Sequence, residues 1–298
     1  MTSKTYGLLA DIHANDVALK IAIEQLEQQG VDEIICSGDI VGYGGCPNEV
    51  ISLLKKKRIK SILGNHDFYL LALLLDEKRS DYYTFLPELL ELSTEMKFRE
   101  IAVLMFEFQK KIISESNSEW LSRLPVSLTT ADKDIFTIHG APPEALKHSK
   151  VVEINDYSYA LNKYLFPWDQ NALSLSCQLQ PAETIVVGHT HMQFAHQSRS
   201  PLEQPIKTAH PCLMKYELFP IRKTFTQSYP LLVNPGSVGQ SRDEINAPGY
   251  ATLTFEGKRK RVVTWYRYKY DYDEFASHMK SKSVPQEILD KEFWNISE

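Results

Sequence analysis

The stretch Tyr6-Gly7-Leu8-Leu9-Ala10-Asp11-Ile12-His13 decides how this chain folds. An apolar run of strand length ends in a carboxylate and an imidazole two residues apart. That is the pattern of a buried strand delivering polar groups at its C-terminal end. Further blocks repeat it: Gly38-Asp39 after Ile34-Ile35-Cys36-Ser37, and Gly64-Asn65-His66-Asp67 after Ile62-Leu63. His139-Gly140 follows Ile135-Phe136-Thr137-Ile138, and Gly188-His189-Thr190-His191 follows Ile185-Val186-Val187. Ligand-type residues at the C-terminal ends of several strands converge on one rim of a sheet. Carboxylate, imidazole and amide are the donors that hard and borderline divalent cations take. One such block alone carries little weight, because a lone histidine after a strand is ordinarily a hydrogen-bonded core residue. All of them together, each behind a strand-like run, supply every ligand of a two-metal centre.

Between the blocks, the first seventy residues alternate strand and helix. Residues 5–11 read as a strand, 14–29 as a helix with Ala18, Ile21, Ala22 and Leu26 on one face, and 32–37 as a strand. Residues 47–57, opened by Pro47, read as a helix and 58–63 as a third strand. Such alternation predicts parallel strands joined by right-handed crossovers. Residues 67–124 read as mostly helical, with Ile101, Leu104, Met105 and Phe108 at core spacing. A hairpin is expected at 126–130 and 134–139, a helix over 156–178, and a strand pair at 183–187 and 192–197 around the Gly188–His191 block. Residues 198–230 lack periodicity and read as an irregular excursion with a hairpin at Met214–Leu218. The last strands are 231–234, 249–255 and 260–270, where alternating Tyr266, Tyr268, Tyr270 and Tyr272 fit an edge strand with one wet face. The expectation is an α/β chain with two mixed β-sheets packed as a sandwich flanked by helices. It forms one domain over 1–298, with a helical insert at about 68–124 and an excursion at about 198–230.

Composition narrows the function. The chain has 298 residues, 43% hydrophobic and 24% charged, ordinary values for a globular protein. Its net charge of −5 provides no global basic field for nucleic acid or an anionic membrane. The longest apolar stretch, Phe68 to Leu75, is too short to span a bilayer, and no secretory h-region precedes the first strand. Cys36, Cys46, Cys177 and Cys212 lack CxxC spacing and are expected as free thiols in a cytoplasmic protein. The runs Lys55–Arg58 and Lys258–Arg261 read as solvated ends, one at a helix C-terminus and one at a hairpin turn. His148, His196, His210 and His278 fall outside every block and read as structural.

At the rim, Asp11 and His13 can share one cation, and Asp39 lies where one carboxylate can bridge two. Asn65 offers a neutral oxygen, and His139, His189 and His191 complete the shells. Two cations about 3.5–4 Å apart clamp a phosphoryl group and activate a bridging hydroxide for in-line attack, so no serine or cysteine nucleophile is needed. The donor set suits manganese, iron, zinc, nickel or cobalt without choosing among them.

These blocks, in this order from Asp11 to His191, resemble the calcineurin-like metallophosphoesterase superfamily. Gly38-Asp-Ile-Val-Gly-Tyr-Gly44, Asn234-Pro-Gly-Ser-Val-Gly-Gln240 and Arg242-Asp243 are similar to its bacterial subfamily of small phosphoesterases, some of which resemble diadenosine tetraphosphate hydrolases. The resemblance implies that Asp11, His13, Asp39 and His191 hold one metal, and Asp39, Asn65, His139 and His189 the other. It implies that His66 contacts phosphate and protonates the leaving oxygen, a role suited to imidazole. Asn15 stands where the family has a polar residue beside the metals. Arg242, after a Gly-Ser-Val-Gly turn, is suited to bidentate phosphate recognition.

Two departures bear on the substrate. The family's serine/threonine phosphatases carry Gly-Asp-x-Val-Asp-Arg-Gly, in which the second Asp orients the catalytic histidine and the Arg holds phosphate. Here Gly42 and Tyr43 take those positions, so another group must orient His66. After His139-Gly140 the subfamily often has Ser-Pro, whereas this chain has Ala141-Pro142-Pro143. The expected function is hydrolysis of a small phosphate ester or dinucleoside polyphosphate. The alternatives are a phosphoprotein phosphatase and a scaffold of the same fold without metals.

Overall fold

The computed structural model describes residues 3–74, 96–142, 161–177, 182–198, 207–257 and 260–289, together with Trp294. β1 (Lys4–Leu9) forms from the first apolar run. α1 (Asp16–Gln28) starts a turn beyond it, its first N–H groups capped by Asn15, whose side-chain oxygen accepts from the Ala18 N–H at 3.0 Å. β2 (Glu33–Cys36), α2 (Pro47–Lys56), β3 (Lys60–Ser61) and α3 (Asn65–Leu74) continue the alternation, and the three strands are parallel. α3 runs into the predicted insert, which continues with α4 (Met96–Ile112) and α5 (Glu115–Ser122); residues 75–95 lie outside the described residues.

β4 (Ser127–Thr129) and β5 (Ile135–Ile138) form the expected antiparallel pair. Then follow α6 (Gln170–Ser176), β6 (Thr184–Val186), β7 (Gln193–Gln197), β8 (Lys207–Ala209), β9 (Ile221–Thr226) and β10 (Leu231–Pro235). β11 (Gly249–Glu256), β12 (Lys260–Arg267) and α7 (Tyr272–Ser281) close the described chain. One six-stranded sheet runs β3-β2-β1-β11-β12-β9 and the other β4-β5-β6-β10-β7-β8. Both are mixed, as expected.

Period-two alternation sorts the apolar side chains into layers. Tyr6, Leu8, Ala251, Leu253, Val263 and Trp265 from one sheet meet Val186, Leu231 and Val233 from the other inside the sandwich. Leu9 and Tyr250 face the α1, α2 and α7 side, while Ile185, Val187 and Leu232 face α6.

Several local expectations are corrected. β6 and β7 do not pair with each other, because β10 lies between them, parallel to β6 and antiparallel to β7. A strand arriving from forty residues downstream leaves no local trace. The helix expected over 156–178 is interrupted: residues 161–162 are helical, 163–169 are not, and Gln170–Ser176 forms a new helix after Phe166-Pro167-Trp168. Pro167 cannot continue a helix, and the Asp169 side chain caps the new one at the Ala172 N–H. The described part of the excursion donates β8 to one sheet and β9 to the other, and Met214–Leu218 holds a 3₁₀ turn rather than a hairpin. β12 is flanked by β11 and β9, so it is no edge strand, and Tyr272 opens α7. Arg261 is not solvated: it is fully buried and donates to the Glu183 and Thr184 oxygens at 2.9 and 3.0 Å and to the Thr226 and Tyr229 carbonyls. All four cysteines are free and buried.

Among the histidines outside the blocks, His278 faces Asp16 at 2.8 Å and His148 lies outside the described residues. His196 on β7 is buried, with Nε2 2.9 Å from the Ser174 hydroxyl. Burial, aided by His210, pushes its pKa down to about 4. The unfolded chain therefore takes up a proton near pH 6.5 that the folded one refuses, and stability falls as pH drops from there toward 4. This residue alone should cost about 2 kcal/mol between pH 7 and 5. Urea unfolding of wild type and His196→Gln at both pH values should show the difference between them moving by that amount in the variant's favour; a pH-independent difference would refute the assignment.

Candidate metal centre

Loops leaving β1, β2, β3, β5 and β6 meet at one rim, where the Ser37 and Thr137 hydroxyls join the two sheets at 2.8 Å. The Ile12 and His13 N–H groups both donate to the Asp39 carbonyl, at 2.8 and 3.0 Å, which locks the first two loops together. Asp11, His13, Asp39 and His191 present one ligand atom each within 4.8 Å of one another, and so do Asp39, His139 and His189. Asp39 belongs to both groups. The Asn65 side-chain oxygen lies 3.1 Å from His139 Nε2, at the second group.

The loops after β1, β2 and β6 bend sharply to achieve this. Asp11, His13, Asp39, His189 and His191 have φ between +50° and +68°, a left-handed conformation that costs non-glycine residues energy and persists where surrounding structure enforces it. Close approach also requires glycine at two places: a Cβ on Gly64 would stand 2.1 Å from an Asp39 carboxylate oxygen, and one on Gly239 2.1 Å from the Ile12 carbonyl. Asn234 supports the β6 loop by donating to the Gly188 carbonyl and the Thr190 hydroxyl, and Ser237 donates to the Asp11 carbonyl.

The imidazoles are oriented from behind, as metal ligands are. Nδ1 of His13, His139 and His191 face the carbonyls of Val41, Ser37 and Gln240, while Nε2 of His189 faces Asn162. Burial holds His13 and His191 well below the usual imidazole range, so both are neutral. With Nδ1–H given to a carbonyl, each offers a lone pair at Nε2, yet these nitrogens lie 3.0 Å apart. Two lone pairs at that distance repel unless a cation lies between them. Asp11 is pushed up to about 7 by burial, with His139 pulling down and Asp39 up. Burial opposes ionisation of Asp39 as well, but His139, His66 and His13 keep its carboxyl well below the usual range. Although burial disfavours the His139 cation, the two carboxylates raise it to about 9. The rim therefore demands positive charge, and its oxygen and nitrogen donors fit divalent metal ions.

The sequence matches the calcineurin-like phosphoesterase superfamily domain over residues 5–258. The chain belongs to that superfamily. Across 295 residues it is 26% identical to an uncharacterized protein of Methanocaldococcus jannaschii, a match covering 98% of this chain and 99% of that one. The crystal structure of a metallophosphoesterase from Sphaerobacter thermophilus superposes with a TM-score of 0.69 at 20% identity, covering 99% of this chain and 100% of the other. A hypothetical protein from Pyrococcus horikoshii gives 0.62 at 19% identity, covering 99% of each. These two likenesses are of fold; the superfamily match marks the chain as a phosphoric ester hydrolase. Among the described residues of this phosphoesterase, no helix is long and apolar enough to cross a membrane.

The remaining expected site residues divide. His66 is buried beside the first group, its ring 4.7 Å from that of His13 and 4.5 Å from that of Tyr43. Among the described residues its Nδ1 has no hydrogen-bond partner, and packing against Tyr43, His13 and Phe106 orients the ring. Gly42 explains the departure from the protein phosphatases, for a Cβ there would stand 2.2 Å from His66 Nδ1. Arg242 is partly buried and donates to the hydroxyls of Tyr43 at 3.1 Å and Tyr164 at 3.4 Å. Asn15 is engaged at the α1 cap and in a 3.4 Å contact with the Gly239 carbonyl, so it shapes the loop.

Sequence reasoning gave no role to Asp67, whose carboxylate accepts from the Ile40, Val41 and Gly64 N–H groups at 2.9 Å and so clamps the β2 and β3 loops together. Its place directly after His66 was the available signal. Gln109 on α4 was also missed; it holds the Gly42 N–H at 3.0 Å and the Gly42 and Gly44 carbonyls.

Proposed function

We propose that this phosphoesterase is dinuclear and hydrolyses small phosphate esters, with dinucleoside polyphosphates the favoured class. The observation that carries this reading is Asp39, one carboxylate common to both ligand groups. In this reading Asp11, His13, Asp39 and His191 hold one cation, and Asp39, Asn65, His139 and His189 the other. Divalent cations there would neutralise phosphoryl charge and bring the pKa of water toward neutrality.

The protein's own groups do the rest. Burial holds His66 down to about 4, so service as proton donor to the leaving oxygen needs negative charge beside it, which a bound phosphoryl group supplies. The Arg242 guanidinium, fixed by two tyrosine hydroxyls, would grip a neighbouring phosphate bidentately, which favours an extended phosphate chain over a phosphopeptide.

Protein reconstituted with manganese should bind close to two equivalents per chain, and Asp39→Asn should weaken both sites while abolishing release of phosphate. Metal analysis after equilibrium dialysis reads this directly. A single tight cation, indifferent to that substitution, would sink the dinuclear reading.

A further inference from the structure

A column of parallel aromatic rings leads from the metal centre to the surface. The His189 imidazole lies 3.9 Å from the Tyr164 ring with their planes 22° apart. Tyr164 stacks on Phe166 at 5.3 Å and 8°, and Phe166 on Trp168 at 4.9 Å and 7°. The three rings come from alternate residues of the non-helical segment before α6, which ends in a turn at 167–168 closed by the Asp169 N–H on the Phe166 carbonyl at 3.0 Å. Trp168 ends the column 63% exposed.

Holding His189 in place accounts for Tyr164 only. Core packing does not account for Trp168, since an indole left in water gains little from packing. Tyr164 also bears the hydroxyl that accepts from Arg242, so the column starts where the candidate metal ligand and the guanidinium meet and ends in an open aromatic face. A ligand that matches both ends carries anionic phosphate at one end and a flat π-system at the other.

We propose that Trp168, backed by Phe166, forms a stacking platform for the nucleobase of the substrate, a nucleoside phosphate or dinucleoside polyphosphate. The proposal rests on the phosphoesterase reading above and names the part of the substrate that the metals do not hold. Stacking on an aromatic side chain tolerates any base, so the platform selects nucleotides as a class. The chain's net charge of −5 points to a small nucleotide over a polyanionic strand.

The test compares the manganese-loaded full-length protein with Trp168→Ala on two substrates, diadenosine tetraphosphate and inorganic tripolyphosphate, which shares the phosphate chain but has no base. The variant should raise KM for the dinucleotide by about 5- to 100-fold, the worth of one stacked base, with kcat little changed and tripolyphosphate unaffected. Trp168→Phe should restore most of the loss. Independently of turnover, adenosine 5′-monophosphate should quench tryptophan emission in the wild type and not in Trp168→Phe. Equal losses on both substrates would assign the column to supporting His189 alone and overturn the platform, as would an unchanged KM without quenching. Should neither substrate be hydrolysed, the functional reading fails, while the quenching titration still decides whether Trp168 binds a base.

Discussion

Asp67→Ala should destabilise the phosphoesterase by about 3–9 kcal/mol, because it strands three buried backbone N–H groups at roughly 1–3 kcal/mol each. Those donors belong to Ile40, Val41 and Gly64, and nothing apolar of alanine's size can satisfy them. Burial and the Asp39 charge push the Asp67 carboxyl up to about 7, against the three N–H groups that favour the anion. Total stabilities of about 5–15 kcal/mol leave little margin for such a loss. Asp67→Asn keeps one acceptor oxygen and should cost less. Because the clamped loops carry Asp39 and His66, and the His66 N–H donates to Asp39 at 2.8 Å, both variants should also bind manganese more weakly. Urea unfolding of the metal-free protein measures the first effect and dialysis the second. A loss below 1 kcal/mol for Asp67→Ala would show that water reaches these amides and that the clamp is dispensable.

Gly42→Ala should reduce turnover by about 10²–10⁴, the loss expected for removing an acid catalyst, with metal content retained. The added methyl would stand 2.2 Å from His66 Nδ1 and 3.0 Å from its Cβ, so the ring must leave its place among Tyr43, His13 and Phe106. Gly42 also has φ +90°, a conformation that strains alanine and should lower stability by about 1–3 kcal/mol. Kinetics separate the two effects. If the methyl acts by displacing the imidazole, His66→Ala and Gly42→Ala should each produce nearly the full loss, and the double variant no more than either. Additive losses would mean that Gly42 serves turnover by another route, and near-normal turnover of Gly42→Ala would remove His66 from the reaction.

Much of the candidate site was legible because its residues announce themselves locally. Asp11, Asp39, His139 and His189 each stand directly after a strand-length apolar run or one glycine beyond it, and strand ends are where parallel sheets deliver groups to a common rim. What escaped notice acts through backbone amides or across long separations. Asp67 matters for the N–H groups of residues 26 and 27 positions earlier, and no side-chain pattern records those. Pro167 was a visible sign against a helix at Tyr164–Trp168, whereas the stacking of those aromatics depends on the turn the folded chain makes at 167–168.

The order of apolar runs and ligand blocks by itself determined the class of fold, the convergence of ligands on one rim, and the family resemblance, because strand period and strand-end chemistry are properties of neighbouring residues. Only the tertiary structure decided that β10 separates β6 from β7, since pairing between distant strands is chosen by how whole sheets bury their faces. It alone decided that the His66 ring fills the space a side chain at position 42 would need, and that Asn15 is engaged as a helix cap. Both outcomes depend on sub-ångström space and on which polar partner lies nearest, and neither is set until the loops are folded against one another.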